Sequence, residues 1–337
     1  MPAEWEIHEA TWISWPHPDC ASFPGSYEKV IPALVAMAKA IADAEILRIN
    51  VHDKAEENTV RNLLSGISPD RVEYFHIPTD EPWCRDHGPL FVKRATAPRL
   101  AALHFGFNAW GFKLSPFEED FKAAKLIAEA VGIPVVDQQN FILEGGSIDV
   151  NGAGCLITTE SCLLNPNRNP DLSRKEIEDR LKDCLGVSKI LWLGDGIEGD
   201  DTDGHVDDIA RFVSADTVVA AIEEDRDDPN YEPLQANLER MKMMTLADGS
   251  PLHVRTLPMP RRIMRQGQRL PASYANFYIT NASVLMPAFG DANDPWAESI
   301  LRELFPARRI VPIDCRELIW GLGAFHCLTQ QQPAVPA

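Results

Sequence analysis

Short runs of β-branched and aromatic residues alternate with amphipathic helical runs along the whole of this chain, and that alternation limits the folds open to it. Strands are predicted at 11–15, 45–51, 71–77, 89–92, 100–107, 133–136, 141–150, 155–159, 189–193, 209–213, 217–222, 252–257, 275–279, 284–287 and 309–313. Apolar spacings of three and four predict helices at 27–44, 54–64, 116–131, 231–246 and 293–305, the last capped by Asn293. Ser173 and Glu176 form a capping box for a further helix that ends at Leu185. Strands outnumber helices and no long βαβ series occurs, which implies mixed α/β structure with several small sheets. The group of strands, helix and strand recurs roughly every 60 to 70 residues, a spacing compatible with a radial arrangement of blades. The 337 residues would allow two domains, but no Pro/Gly/Ser-rich linker divides them, so residues 1–337 are expected to form a single domain.

The formal net charge of -18 argues against nucleic acid and anionic membrane surfaces, both of which select basic patches, and suits a small cationic substrate. The seven cysteines are odd in number and contain no Cys-x-x-Cys pair. That fits reduced thiols and a cytoplasmic setting rather than a disulfide framework. The first residues lack the basic start and apolar run of a signal peptide. The most apolar long stretch, 31–49, carries Lys39, Asp43, Glu45 and Arg48 and reads as amphipathic, not as a membrane span. A homo-oligomer is compatible with the sequence, which does not fix the oligomeric state.

Four stretches carry candidate chemistry. Cys327 stands among small residues in Gly321-Leu322-Gly323-Ala324-Phe325-His326-Cys327. A lone Cys is usually a small buried hydrophobe, so it needs partners elsewhere before it reads as a nucleophile. Its two glycines lack the third of a dinucleotide loop, since His326 stands there. Trp83-Cys84-Arg85-Asp86 is expected on a loop at a strand end; Trp83 is core or a pocket wall, and Arg85 pairs with a carboxylate. Glu144 ends an apolar run just before Gly145 and Gly146, where a buried carboxylate needs a partner and glycines allow close approach. In the fourth, Asp200 to Asp208, aligning Asp201, Asp203 and Gly204 to a calcium loop puts Gly199 first and Ala210 twelfth, so that reading fails. Zinc would want more ligands than His205 and Asp207 supply. A solvated acidic loop is a remaining reading; on an extended segment those two side chains instead face one site. The polar cluster from Asn165 to Pro170 reads as loop architecture.

Taken together these blocks resemble the agmatine deiminase and bacterial peptidyl-arginine deiminase family. The matching pieces are Trp15-Pro16-His17, Trp83-x-Arg85-Asp86-x-Gly88-Pro89, Leu143-Glu144-Gly145-Gly146, Thr158-Thr159-Glu160-x-Cys162-Leu163-Leu164-Asn165, Asn167-Arg168-Asn169-Pro170, Thr202-Asp203-Gly204-His205-Val206-Asp207 and His326-Cys327-x-Thr329-Gln330-Gln331, in family order over almost the whole chain. The resemblance implies a five-bladed α/β propeller (the pentein fold) and hydrolytic deimination of a guanidinium without metal or cofactor. It implies Cys327 as nucleophile, His205 as general acid/base, Asp86 and Asp207 as the carboxylates that grip the guanidinium, and Glu144 as a site glutamate. Trp83 is expected to contact substrate. Agmatine, giving N-carbamoylputrescine and ammonia on a putrescine route, is the expected substrate. Arginine or peptidyl-arginine is the alternative, and a propeller that only binds polyamines or partners is the non-enzymatic one. The sequence departs from the agmatine branch at Thr79-Asp80-Glu81-Pro82, at Gly321-Leu322-Gly323-Ala324 and at Asp201, which stands where a Glu is usual. These departures bear on recognition of the substrate tail, for which Asp201 is the expected partner.

Overall fold

Five sheets of one connectivity account for most of the predicted strands. In the computed structural model, which describes residues 1–335, each sheet has a first strand antiparallel to the second, and a helix that carries the chain from the second to a parallel third. The sheets are Leu90–Lys93 with Leu100–Gly106 and Val135–Ile142; Ile148–Val150 with Cys155–Thr159 and Lys189–Leu193; Ala210–Phe212 with Thr217–Ile222 and His253–Pro258; and Tyr278–Ile279 with Ser283–Ala288 and Arg309–Asp314. In the fifth, Thr329–Pro333 pairs antiparallel with His8–Ser14, which runs parallel to Ile46–Val51, and Val72–His76 adds a fourth strand. The first strands of the four later units begin at positions 90, 148, 210 and 278, the spacing expected of repeated blades. A small hairpin, Met264–Arg265 with Gln268–Arg269, was not legible as strands.

Helices form where the periodicity places them. Helix Tyr27–Ala42 buries Val30, Leu34, Met37 and Ile41, spaced three and four apart. The apolar stretch 31–49 divides between this helix and strand Ile46–Val51. Among the described residues no helix is long and apolar enough to cross a membrane. Helix Arg174–Leu185 starts with the expected capping box and ends on left-handed Gly186. At helix Asp294–Leu304 Asn293 holds the N-cap position as expected but makes no side-chain cap bond: its side chain donates to the Met259 carbonyl, and Asp294 accepts the amides of Phe289, Gly290 and Asp291.

Two strand predictions are corrected and one strand was not foreseen. The run 141–150 is broken, because Gly145 lies so close to Arg85 that a Cβ there would meet its carbonyl oxygen at 2.2 Å. Only Tyr278–Ile279 of the run 275–279 pairs, since Asn276 is drawn out into hydrogen bonds described below. Strand Thr329–Pro333 went unpredicted because it is polar, yet it is buried. Gln332 Oε1 accepts from Trp12 Nε1 at 2.9 Å and Arg48 Nη1 at 2.7 Å, and Gln331 Oε1 accepts from Arg85 Nη1 at 2.8 Å. Satisfied in this way, Gln331 and Gln332 occupy a core at little cost, whereas Gln330 Oε1 has no partner among the described residues.

The five first strands share an approach that positions the site. Each is entered from a turn or a short helical segment: Cys84–His87, Gly145–Ser147, Val206–Asp208, the bend at Ser273–Asn276, and Phe325–Leu328. Asp86, Gly146, Asp207, Asn276 and Cys327 therefore occupy matching places, one per unit.

Candidate active site

A pocket of about 210 Å³ opens beside these turns. Asp86, Cys327, Gly321 and Gly323 line it together with Trp83, Trp110, Trp320, Asp201, Thr202 and Gln268. No Lys or Arg is among the described lining residues. Both glycines are required by packing: a Cβ on Gly321 would meet the Phe23 ring at 2.5 Å, and one on Gly323 the Trp83 ring at 2.6 Å. Trp83 is a pocket wall, and its indole donates to Ser22 Oγ at 2.8 Å. Trp110 reaches the pocket from a left-handed stretch, with φ of 51° at Ala109, 56° at Trp110, 88° at Gly111 and 63° at Phe112. Asn108 and Lys113 tether that stretch: Asn108 accepts from Gly111 N, and Lys113 Nζ donates to the Asp201 carbonyl and to Asp203 Oδ1.

Beneath the pocket the acids and the imidazole converge. Asp86 sits on the short helix Cys84–His87, not on the loop expected. Its Oδ1 accepts from Gly146 N and its Oδ2 from Trp110 Nε1, each at 2.9 Å. A carboxylate accepts about four hydrogen bonds, so capacity remains for a ligand. His205 and Asp207 lie at a 3-10 turn, Val206–Asp208, instead of on an extended segment, yet both face one place. A Cβ on Gly146 would lie 2.5 Å from His205 Nδ1, 2.9 Å from Asp86 Oδ1 and 3.1 Å from Asp207 Oδ2. His205 Nδ1 is 3.8 Å from Asp86 Oδ1, and neither ring nitrogen has a hydrogen-bond partner among the described residues. Asp207 Oδ2 faces His326 Nδ1 at 2.6 Å and Cys327 Sγ at 3.6 Å, and its Oδ1 is unpartnered among the described residues.

Burial and charge set the protonation of the site. Burial opposes a charged His205, but the Asp86 carboxylate first, with Glu144 beside it, outweighs that and holds the imidazole well above its ordinary range. Burial raises Asp86, with His205 pulling the other way. For Asp207, the hydrogen bond from His326 overcomes burial and lowers the carboxyl. The Cys327 thiol is pushed far up, by burial first and then by Asp207, Asp208 and Asp86. Near neutral pH the arrangement therefore favours an imidazolium and a protonated thiol.

Glu144 is buried just before the turn Gly145–Ser147, and its Oε1 accepts from Arg168 Nε at 2.6 Å. Sequence reasoning gave Arg168 only a loop role. It also donates to Asp203 Oδ2 at 2.8 Å and the Thr202 carbonyl at 3.0 Å, which ties the Asp201-bearing loop to Glu144. Asp201 lines the pocket, and its carboxyl is raised to about 6 by burial and by Asp200, with Lys113 and His205 opposing. Glu144, Cys162 and His205 have donor atoms within 4.8 Å of one another, close enough to consider a metal. The Arg168 guanidinium on Glu144 would repel such a cation, so the fit is poor. Asn276, Asp208 and Glu4 were missed. For Asn276 the available signal was a lone amide within the apolar run 274–279.

The family model described as Porphyromonas-type peptidyl-arginine deiminase matches residues 1–333. The chain is 38% identical to the agmatine deiminase of Ectopseudomonas mendocina, over 99% of this chain and 95% of that one. Among solved structures, the agmatine deiminase of Enterococcus faecalis superposes with a TM-score of 0.90 at 34% identity, covering 99% of this chain and 95% of that one. A more distant neighbour, DDAH from Pseudomonas aeruginosa, is 14% identical with a TM-score of 0.52, covering 96% of this chain and 99% of that one, and shares the fold alone.

Proposed function

Since the chain belongs to the Porphyromonas-type peptidyl-arginine deiminase family, we propose that it hydrolyses agmatine to N-carbamoylputrescine and ammonia, on a route to putrescine. The observation that carries this reading is the pocket's charge. Asp86 and Asp201 line it, and no basic side chain does among the described residues. Agmatine is cationic at both ends. Arginine would bring a carboxylate, for which a site normally supplies a cation. A cytoplasmic setting is part of the proposal, supported by seven free cysteines.

In this reading Asp86 and Asp207 hold the guanidinium by charge-assisted hydrogen bonds and place its central carbon over the sulfur. Trp83 walls the pocket, and Asp201 meets the tail amine. The bound guanidinium offsets the carboxylates around the sulfur, the Cys327 thiol gives up its proton to solvent, and the thiolate forms the S–C bond to give a neutral tetrahedral adduct. The His205 imidazolium passes its proton to the departing nitrogen, the C–N bond breaks and ammonia leaves a thiouronium. Neutral His205 then takes a proton from the attacking water, the S–C bond breaks and the ureido product leaves the thiol behind. Glu144 stands against His205 and favours its charged form.

The test is a panel of agmatine, arginine and a blocked arginine peptide, read as ammonia and ureido-group release. Agmatine is expected to turn over best, and Cys327→Ser to abolish turnover while agmatine binding survives. A preference for either arginine substrate would overturn the substrate assignment. Turnover of none would favour a binding module.

A further inference from the structure

Four of the five turns that feed the first strands have a part in the chemistry above; the fifth, at Asn276, has none. Asn276 Oδ1 accepts from His326 N at 3.1 Å and Cys327 N at 3.3 Å. Its Nδ2 lies 3.0 Å from Asp208 Oδ1 and 3.0 Å from Cys327 Sγ. A carboxamide has two donor hydrogens and two acceptor lone pairs, and these contacts use them all. The two backbone amides fix which end is oxygen, so the end turned to the sulfur is the donor.

The other groups around that sulfur resist its ionisation. Asp86 faces it from the helix Cys84–His87, and Asp207 and Asp208 from the turn Val206–Asp208. The basic side chains nearby face other groups, His205 lying 3.8 Å from Asp86 Oδ1. His326 turns its ring nitrogens to Asp207 and Glu4, and Arg85 donates to the His326 carbonyl, Gln331 and Glu4. A Lys or Arg aimed at the sulfur would stabilise a thiolate but repel a cationic substrate. A neutral amide avoids that conflict.

We propose that Asn276 is a further catalytic residue of this reaction: its N–H donates to Cys327 Sγ, aims the sulfur and stabilises it once ionised. The proposal rests on the reading of Cys327 as nucleophile. A thiolate accepts a stronger hydrogen bond than a thiol, so the contact tightens as the sulfur ionises. Asn276 also ties Asp208 and the Cys327 backbone into one unit, which fixes the angle of approach.

The experiment is the rate of Cys327 alkylation by iodoacetamide against pH without substrate, with the modified position assigned by peptide mass. Below the thiol midpoint the logarithm of that rate rises with pH, and a raised midpoint displaces the line. Asn276→Ala is expected to slow alkylation at a given pH by on the order of tenfold, and Asn276→Asp by more. Asp has the size of Asn, so a change of access does not account for its effect. Turnover of agmatine should fall with kcat more than with KM. Lines that coincide with wild type in Asn276→Asp would overturn the proposal, as would an Asn276→Ala effect that vanishes in an Asp208→Asn background, since Asn276 would then act through Asp208. If the Ala variant does not fold, Asn276→Leu, similar in size and without charge or donor, decides. No substrate enters the alkylation, so a displaced line in a protein that fails the substrate panel would sink the functional reading and leave the sulfur contact standing.

Discussion

Asp201 shows how one side chain converts burial into substrate choice. Burial and the charge of Asp200 raise its carboxyl to about 6. Its negative charge is therefore present above that pH and is lost as pH falls through it. Alkyl amines and guanidinium groups stay protonated there, with amines near pKa ~10. If Asp201 meets the tail amine, the agmatine KM should rise as pH drops below about 6 while kcat moves less. Asp201→Asn should raise KM at neutral pH roughly tenfold, the scale of one charge-assisted hydrogen bond, and remove the acid step in KM. Initial rates over substrate and pH measure both. A variant that keeps the wild-type step would assign the tail to another group.

At the scale of elements, function depends on the segments that enter the first strands. The turn Gly145–Ser147 is the tightest of them, and Gly146 is pressed against His205, Asp86 and Asp207. Its backbone is not left-handed, so Ala costs nothing in φ; the cost is the 2.5 Å approach of Cβ to His205 Nδ1. Gly146→Ala should lower kcat/KM about 100-fold through misplacement of the reacting groups, with an overpacking cost of about 1–3 kcal/mol. Steady-state kinetics and thermal unfolding check it, and wild-type kinetics would show that the turn gives way harmlessly. These elements were unequally legible. Helices Tyr27–Ala42 and Arg174–Leu185 announce themselves by apolar spacing and a capping box. Cys327, His205, Asp86 and Asp207 stood out because each lies in a distinctive local block, and the fold brings those blocks together. Asn276 did not, because nothing local separates a core amide from one aimed at a sulfur. Strand Thr329–Pro333 was hidden for a related reason: Trp12, Arg48 and Arg85, whose donors make Gln331 and Gln332 tolerable, are remote in sequence.

For the molecule as a whole, closure depends on both ends of the described chain. Strand Thr329–Pro333 pairs with His8–Ser14, so the first and last elements complete one sheet. Ahead of that strand, Glu4 is buried where the units meet. Its carboxylate faces Arg211 Nη2 at 2.8 Å, His326 Nε2 at 2.9 Å and Arg85 Nη2 at 3.3 Å, and accepts from Ile279 N at 2.8 Å. Arg85 enters one sheet, Arg211 lies in another, Ile279 in a third, and His326 leads into the closing strand. One side chain thus joins four of the five units. Burial alone would raise the Glu4 carboxyl; Arg211, His326 and Arg85 overcome it and hold it far below the carboxylate range. The folded-state pKa is depressed, so this stabilisation is present above the unfolded value near 4.5 and is lost as pH falls below it. Glu4→Gln keeps the shape but removes the charge that compensates two buried guanidinium groups; such a loss costs about 3–5 kcal/mol. Thermal unfolding should show the variant several degrees less stable at neutral pH, with the gap narrowing steadily once pH drops below about 4.5. Equal melting temperatures at neutral pH would mean that Asp149, 3.2 Å from Arg211 Nε, already balances the centre and that Glu4 is dispensable to closure.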